Sequence, residues 1–136
     1  MCSSDLAAAD FETALQRDAN LYIALWLHLA RIHGGLDDAD ELLERETRRI
    51  RGGWPSPVVA LYLGRTDAAS IYASTKTGDA ARQADMRCEA NFYIAHAHLF
   101  KRERATAQTL LQNAQRECAK NLLEYEGAVA ELRRLK

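Results

Sequence analysis

Residues 88–117 read CEANFYIAHAHLFKRERATAQTLLQNAQRE, and the fold is decided by this stretch. Phe92, Ala95 and Leu99 recur at steps of three and four, and so do Ala107, Leu111 and Ala114. Each half therefore predicts an amphipathic helix. The charged run Lys101-Arg102-Glu103-Arg104 between them predicts a tight turn. Alanine on a contact face lets two helix backbones approach closely, and a large residue opposite fills the space. The expected product is a helical hairpin built to stack on another.

The rest of the chain suits that reading. Its 136 residues are 48% hydrophobic and 27% charged, with two prolines, which predicts an ordered chain the size of one domain. Alanine and leucine are frequent and valine and isoleucine scarce, which favours helix over sheet. At a net charge of -1 the basic residues are matched by acidic ones, so the composition gives no reason to expect nucleic acid. The longest apolar stretch, 21–32, is interrupted by His28 and Arg31. It falls short of the run of about 18 apolar residues that a membrane span needs. Met1-Cys2-Ser3-Ser4-Asp5 has neither a basic nor an apolar region, so no secretion signal is expected.

In order, a first helix capped by Ser3 or Ser4 runs to about Gln16, with Ala7, Phe11 and Ala14 on one face. It looks like the second helix of a repeat whose first is missing, so a fragment of a longer repeat protein is expected; the alternative is an N-terminal helix that caps the stack. Asp18-Ala19-Asn20 breaks it, and Asn20 caps a helix from Leu21 to His33 whose apolar face carries Tyr22, Leu25, Trp26 and Leu29. Gly34-Gly35 stops that helix. Its partner runs from Asp37 to about Arg51, with Leu36, Ala39, Leu42 and Leu43 inward. The acidic start and the basic end (Arg45, Arg48, Arg49, Arg51) suit the helix dipole, and four close arginines also offer a place for an anion or an acidic partner.

Residues 54–82 read as an irregular helical insert. The Trp54 ring is expected to plug a joint, Pro55 breaks the helix, and Pro57 opens a short helix through Leu63. Thr66 or Asp67 starts another, to about Ser74, and Thr77-Gly78-Asp79 reads as a mobile turn. Ala80–Arg87 leads into the hairpin. A closing helix spans about 120–135, with Leu123, Gly127 and Ala130 on its packed side and Glu124 and Glu131 outward.

The spacing of Ala95, Ala107, Leu111 and Ala114 resembles the signature of a tetratricopeptide repeat, a unit of about 34 residues. The fold this implies is an all-α, TPR-like alpha-alpha superhelix, a right-handed solenoid of helical hairpins forming one domain over 1–136. A longer pattern joins Leu25-Trp26-Leu27-His28-Leu29-Ala30-Arg31, Trp54-Pro55-Ser56-Pro57, Leu61-Tyr62-Leu63-Gly64, Cys88-Glu89-Ala90-Asn91-Phe92-Tyr93-Ile94, Glu124-Tyr125 and Ala130-Glu131-Leu132. It is similar to the C-terminal region of bacterial repeat proteins of the NlpI lipoprotein type. That resemblance implies a scaffold or adaptor, often at the cell envelope, and no chemistry. Residues 54–82 depart from a regular repeat, and there is no lipid-attachment signal around Cys2.

Cys88 opens one helix of the hairpin and Cys118 follows the other, so antiparallel pairing brings the two thiols within reach of a disulfide. The alternative is two small buried residues at the hairpin base. A disulfide requires an oxidising compartment. The chain as it stands reads as cytoplasmic, or as periplasmic or envelope-located if a signal precedes it and the bond forms. Cys2 has no evident partner.

His96 and His98 diverge by about 200° around their helix, His28 and His33 do not converge, and no zinc spacing accompanies them. No metal or other cofactor is expected. Ser70 and Ser74 have no nucleophile elbow, and no phosphate loop or dinucleotide fingerprint occurs, so no catalytic residue is assigned.

What remains is recognition of a protein or peptide partner by first helices lining a groove, with Tyr22, Trp26, Arg31, Glu89, Phe92, His96 and Phe100 as the contact residues. Trp54, Pro55, Pro57, Ala95, Ala107, Leu111 and Ala114 are assigned to structure. The expected function is a non-catalytic interaction scaffold. The alternatives are a docking or homodimerisation module and an enzyme with an unfamiliar site.

Overall fold

The computed structural model describes residues 3–17, 20–50 and 52–136, with side chains from Ala7 onward. Cys2, the Asp18-Ala19 half of the first corner, Arg51 and the Ser3 or Ser4 cap lie outside what is described. Among the described residues the chain is all-α, with no strand. The helices are α1 (Ser3–Arg17), α2 (Leu21–His33), α3 (Ala39–Thr47), α4 (Ser56–Tyr62), α5 (Ala68–Ser74), α6 (Ala80–Phe100), α7 (Arg104–Glu117) and α8 (Leu123–Arg134). They form two compact units, Met1–Arg65 and Thr66–Lys136, whose boundary falls inside the stretch read as an irregular insert.

Local chemistry sets the helix ends. The Asn20 side chain accepts the Ile23 N–H at 2.9 Å, Asp67 accepts that of Ser70 at 2.8 Å, and Asp79 that of Arg82 at 2.8 Å. Each satisfies a donor that the first turn leaves open. The 77–79 turn is thus tied to α6 rather than loose, with Gln83 donating to the Gly78 carbonyl at 2.8 Å as well.

Three helices finish in the same paired pattern, in which the residue after the C-cap takes a left-handed conformation. Gly35 and Gly64, both at φ 74°, fill that position after α2 and α4. After α6 it is Arg102, at φ 62°, whose N–H bonds the Leu99 carbonyl at 3.0 Å while Glu103 bonds that of His98 at 2.9 Å. The α3 helix stops at Thr47, short of Arg51. The Thr47 hydroxyl donates back to the Leu43 carbonyl at 2.8 Å, a side-chain bond that competes with helix propagation.

In the first unit α2 is the central helix, and α1, α3 and α4 pack against it. Leu21, Ala24, Leu25, Leu27, His28, Leu29, Ala30 and Arg31 are all buried, so the helix is enclosed on most of its circumference. Ala7, Phe11 and Leu15 of α1 pack on Ala8, Leu27 and Ala30, and Phe11 stacks on Trp26 at 6.1 Å. Much of the α1 face that looked unpartnered in sequence is covered by α2. Leu36, expected inward, is 42% exposed, because it follows the terminal glycines into the loop.

In the second unit α6 takes that central place, with α5, α7 and α8 against it. Met86 and every residue from Cys88 to His96 are buried. Ala95, Ala107, Leu111 and Ala114 are fully enclosed, so the alanine faces meet as their spacing predicts. Burying a leucine such as Leu111 contributes about 2 kcal/mol. A disulfide joins Cys88 to Cys118 at the base of the hairpin.

The closing helix is rotated from expectation. Ala128 and Glu124 face inward, while Leu123 is 58% exposed and Ala130 is exposed. The cause is a buried hydrogen bond from the Tyr93 hydroxyl to the Glu124 carboxylate at 2.9 Å, which fixes that side of α8 against α6.

Candidate functional site

The residues expected to contact a partner fall into two groups. Arg31, Glu89, Phe92 and His96 are buried, whereas Tyr22, Trp26 and Phe100 are half-buried. Phe92, His96 and Phe100 lie together along α6, with ring centroids 4.7 Å and 6.3 Å apart in succession. They form an aromatic ladder that packs the second unit. Trp54 is half-buried, beside a buried Pro55 and a half-buried Pro57, rather than an enclosed plug.

Arg31 is the more instructive case. Its side chain is 5% exposed and donates to both Glu46 carboxylate oxygens, at 3.1 Å and 3.2 Å. The same guanidinium lies 3.8 Å from Glu12. Glu12 belongs to α1 and Glu46 to α3, so one buried cation on α2 brackets the two helices that flank it. A buried charge costs several kcal/mol unless it is paired, and this one is paired twice.

Above that bracket is an open groove of about 680 Å³. One wall is the 12, 15, 16 face of α1, with Glu12, Leu15 and Gln16. The other is the last turn of α3 and the turn that follows it, with Arg45, Glu46, Arg48, Arg49 and Ile50. The α1 wall follows the three-and-four spacing of a helix face. Arg45, Arg48 and Arg49 are exposed, and none has an ion-pair partner among the described residues. Taking Arg31 with the lining, four guanidiniums stand against two carboxylates, a local balance of +2 in a chain of net -1. Leu15 and Ile50 add an apolar lip. Such a surface can hold a carboxylate-bearing segment by charge and an adjoining apolar group by burial.

Two other polar clusters serve the fold. His28, 1% exposed, hydrogen bonds through Nε2 to Asp40 at 2.7 Å and stacks on Tyr62 at 5.1 Å. Burial pushes the His28 pKa below its ordinary value against the opposing pull of Asp40, and because the Asp40 carboxylate can only accept, Nε2–H is the donor. Burial likewise raises the Tyr62 phenol. In the second unit the Tyr72 hydroxyl donates to Asn91 at 2.5 Å, and Asn91 donates to Glu117 at 3.3 Å. Burial, with the nearby Glu117 charge, raises the Tyr72 pKa.

Sequence reasoning singled out the arginine run as a place for an anion or acidic partner. It did not find the opposing wall, because Glu12, Leu15 and Gln16 become neighbours of that run only through their shared packing on α2. No protein-family model and no curated protein matches the chain.

Proposed function

We propose that the protein is a non-catalytic interaction module, a helical scaffold or adaptor of the tetratricopeptide-like kind, which receives an acidic stretch of a partner in the groove between α1 and α3. The observation that carries this reading is the set of three exposed arginines, Arg45, Arg48 and Arg49, without ion-pair partners among the described residues, beside the apolar lip of Leu15 and Ile50. The groove's own carboxylates are already answered by Arg31, so its rim is left with positive charge to offer. Charge on the rim supplies steering and selectivity, and the lip supplies affinity by burying apolar area. The Cys88–Cys118 disulfide supports a periplasmic or other envelope setting, since such bonds persist in oxidising compartments.

The test is a fluorescence anisotropy titration with a labelled peptide of alternating glutamate and leucine, against its lysine counterpart. The acidic peptide binds and the basic one does not. The double variant Arg48→Glu, Arg49→Glu weakens binding at least about tenfold, a difference of about 1.4 kcal/mol. Equal binding of the two peptides, or an unchanged affinity in the variant, refutes the reading.

A further inference from the structure

The chain carries a surface of the opposite character at the other end of α3. Asp37, Asp38 and Glu41 are exposed and have no ion pair among the described residues. Asp38 occupies the N-cap position of α3, yet its side chain makes no capping bond, although aspartate at that position usually does. Two residues before it stands Leu36, one of two large apolar side chains exposed among the described residues. The corner Leu36-Asp37-Asp38 thus presents one apolar knob beside carboxylates, held on a glycine-terminated loop. The groove at the far end of the same helix presents an apolar lip beside three guanidiniums. Helix-dipole compensation accounts for the sign of charge at each end of α3. It does not account for the exposed leucine, the unused cap or the groove.

We infer that the groove's occupant is the Leu36–Glu41 corner of a second copy of this chain. Three carboxylates face three guanidiniums, and Leu36 enters between Leu15 and Ile50. A two-fold axis crossing α3 places its acidic start against the partner's basic end twice, which closes the assembly as a dimer. The inference rests on the groove being a receptor for acidic segments, as proposed above. The contact is salt-sensitive, because exposed charges are screened within about 8 Å at physiological ionic strength.

Sedimentation velocity on the full chain, over a concentration series at low and high salt, tests it. The expected result is a concentration-dependent dimer at low salt that weakens at least about tenfold at high salt. Arg48→Glu with Arg49→Glu, and separately Asp37→Lys with Asp38→Lys, each abolish self-association while circular dichroism shows helix content unchanged. Mixing the two variants restores a heterodimer, because one reversed corner then meets one reversed groove. Leu36→Ser weakens the dimer without altering charge. A wild-type chain that stays monomeric yet binds the acidic peptide overturns the second-copy inference and leaves the groove reading standing. A monomer that also ignores the peptide overturns both. A dimer indifferent to the charge reversals, or variants that fail to complement, overturns the inference as well.

Discussion

The two units solve the same problem in different ways. Each builds a core around one enclosed helix, α2 in the first and α6 in the second, and each of those helices carries polar groups that must be answered. On α2 the answers are groups that ionise: Asp40 for His28, and Glu46 with Glu12 for Arg31. On α6 the groups answered in this way are neutral ones: the Tyr93 hydroxyl donates to Glu124, Asn91 accepts from Tyr72 and donates to Glu117, and a covalent bond from Cys88 to Cys118 braces the helix besides. The first unit, with a buried guanidinium and a buried imidazole, is therefore sensitive to the loss of a single charge and to the protonation of His28. The second is sensitive to reductant. The groove with its exposed arginines also lies in the first unit, where Glu12 and Glu46 are engaged by Arg31.

The contrast can be broken most severely at the Arg31 bracket. Glu46→Ala leaves the buried guanidinium, among the described residues, only Glu12 at 3.8 Å, and is expected to destabilise the first unit by about 4 kcal/mol in urea unfolding. The double change Arg31→Met, Glu46→Leu recovers most of that loss, since no unpaired charge remains. Next is the disulfide. Cys118→Ser, or reduction, opens a link spanning 30 residues and should cost about 3 kcal/mol, with the loss confined to the second unit. Hydrogen exchange resolved by residue separates the two units in both experiments.

A smaller effect distinguishes the units by pH. The folded state holds His28 below 6.5, so the unfolded chain takes up that proton first as pH falls. The stability His28 contributes is complete above 6.5 and is lost as pH falls through the lowered folded value. Replacing His28 with glutamine flattens that part of the stability profile, while the second unit's amides keep their protection. The smallest effect is at Arg102. A side chain in the left-handed region carries a penalty that glycine lacks, so Arg102→Gly should raise stability by about 1 kcal/mol, seen as a higher melting temperature.

The α6–α7 hairpin was readable because alanine and leucine at steps of three and four define a face without outside help, and Asn20 and the paired glycines declare helix ends on their own. Other features needed tertiary knowledge. Glu124 reads as a surface carboxylate until Tyr93, 31 residues away, is brought to it. Arg31 reads as a groove residue, and its burial depends on where Glu12 and Glu46 arrive. Arg102 gave no sign of a left-handed turn, since its residue type ordinarily avoids one. The groove was half legible for the same reason: one wall is a run in sequence, and the other comes from 30 residues earlier.

The most direct test of the groove is a ¹⁵N–¹H NMR titration of the full chain with the acidic glutamate–leucine peptide, read residue by residue. The account predicts shifts centred on residues 12–16 and 45–50, with α7 and α8 unmoved. Shifts centred on α6 to α8 with residues 45–50 silent would contradict it, because recognition would then lie in the covalently braced unit.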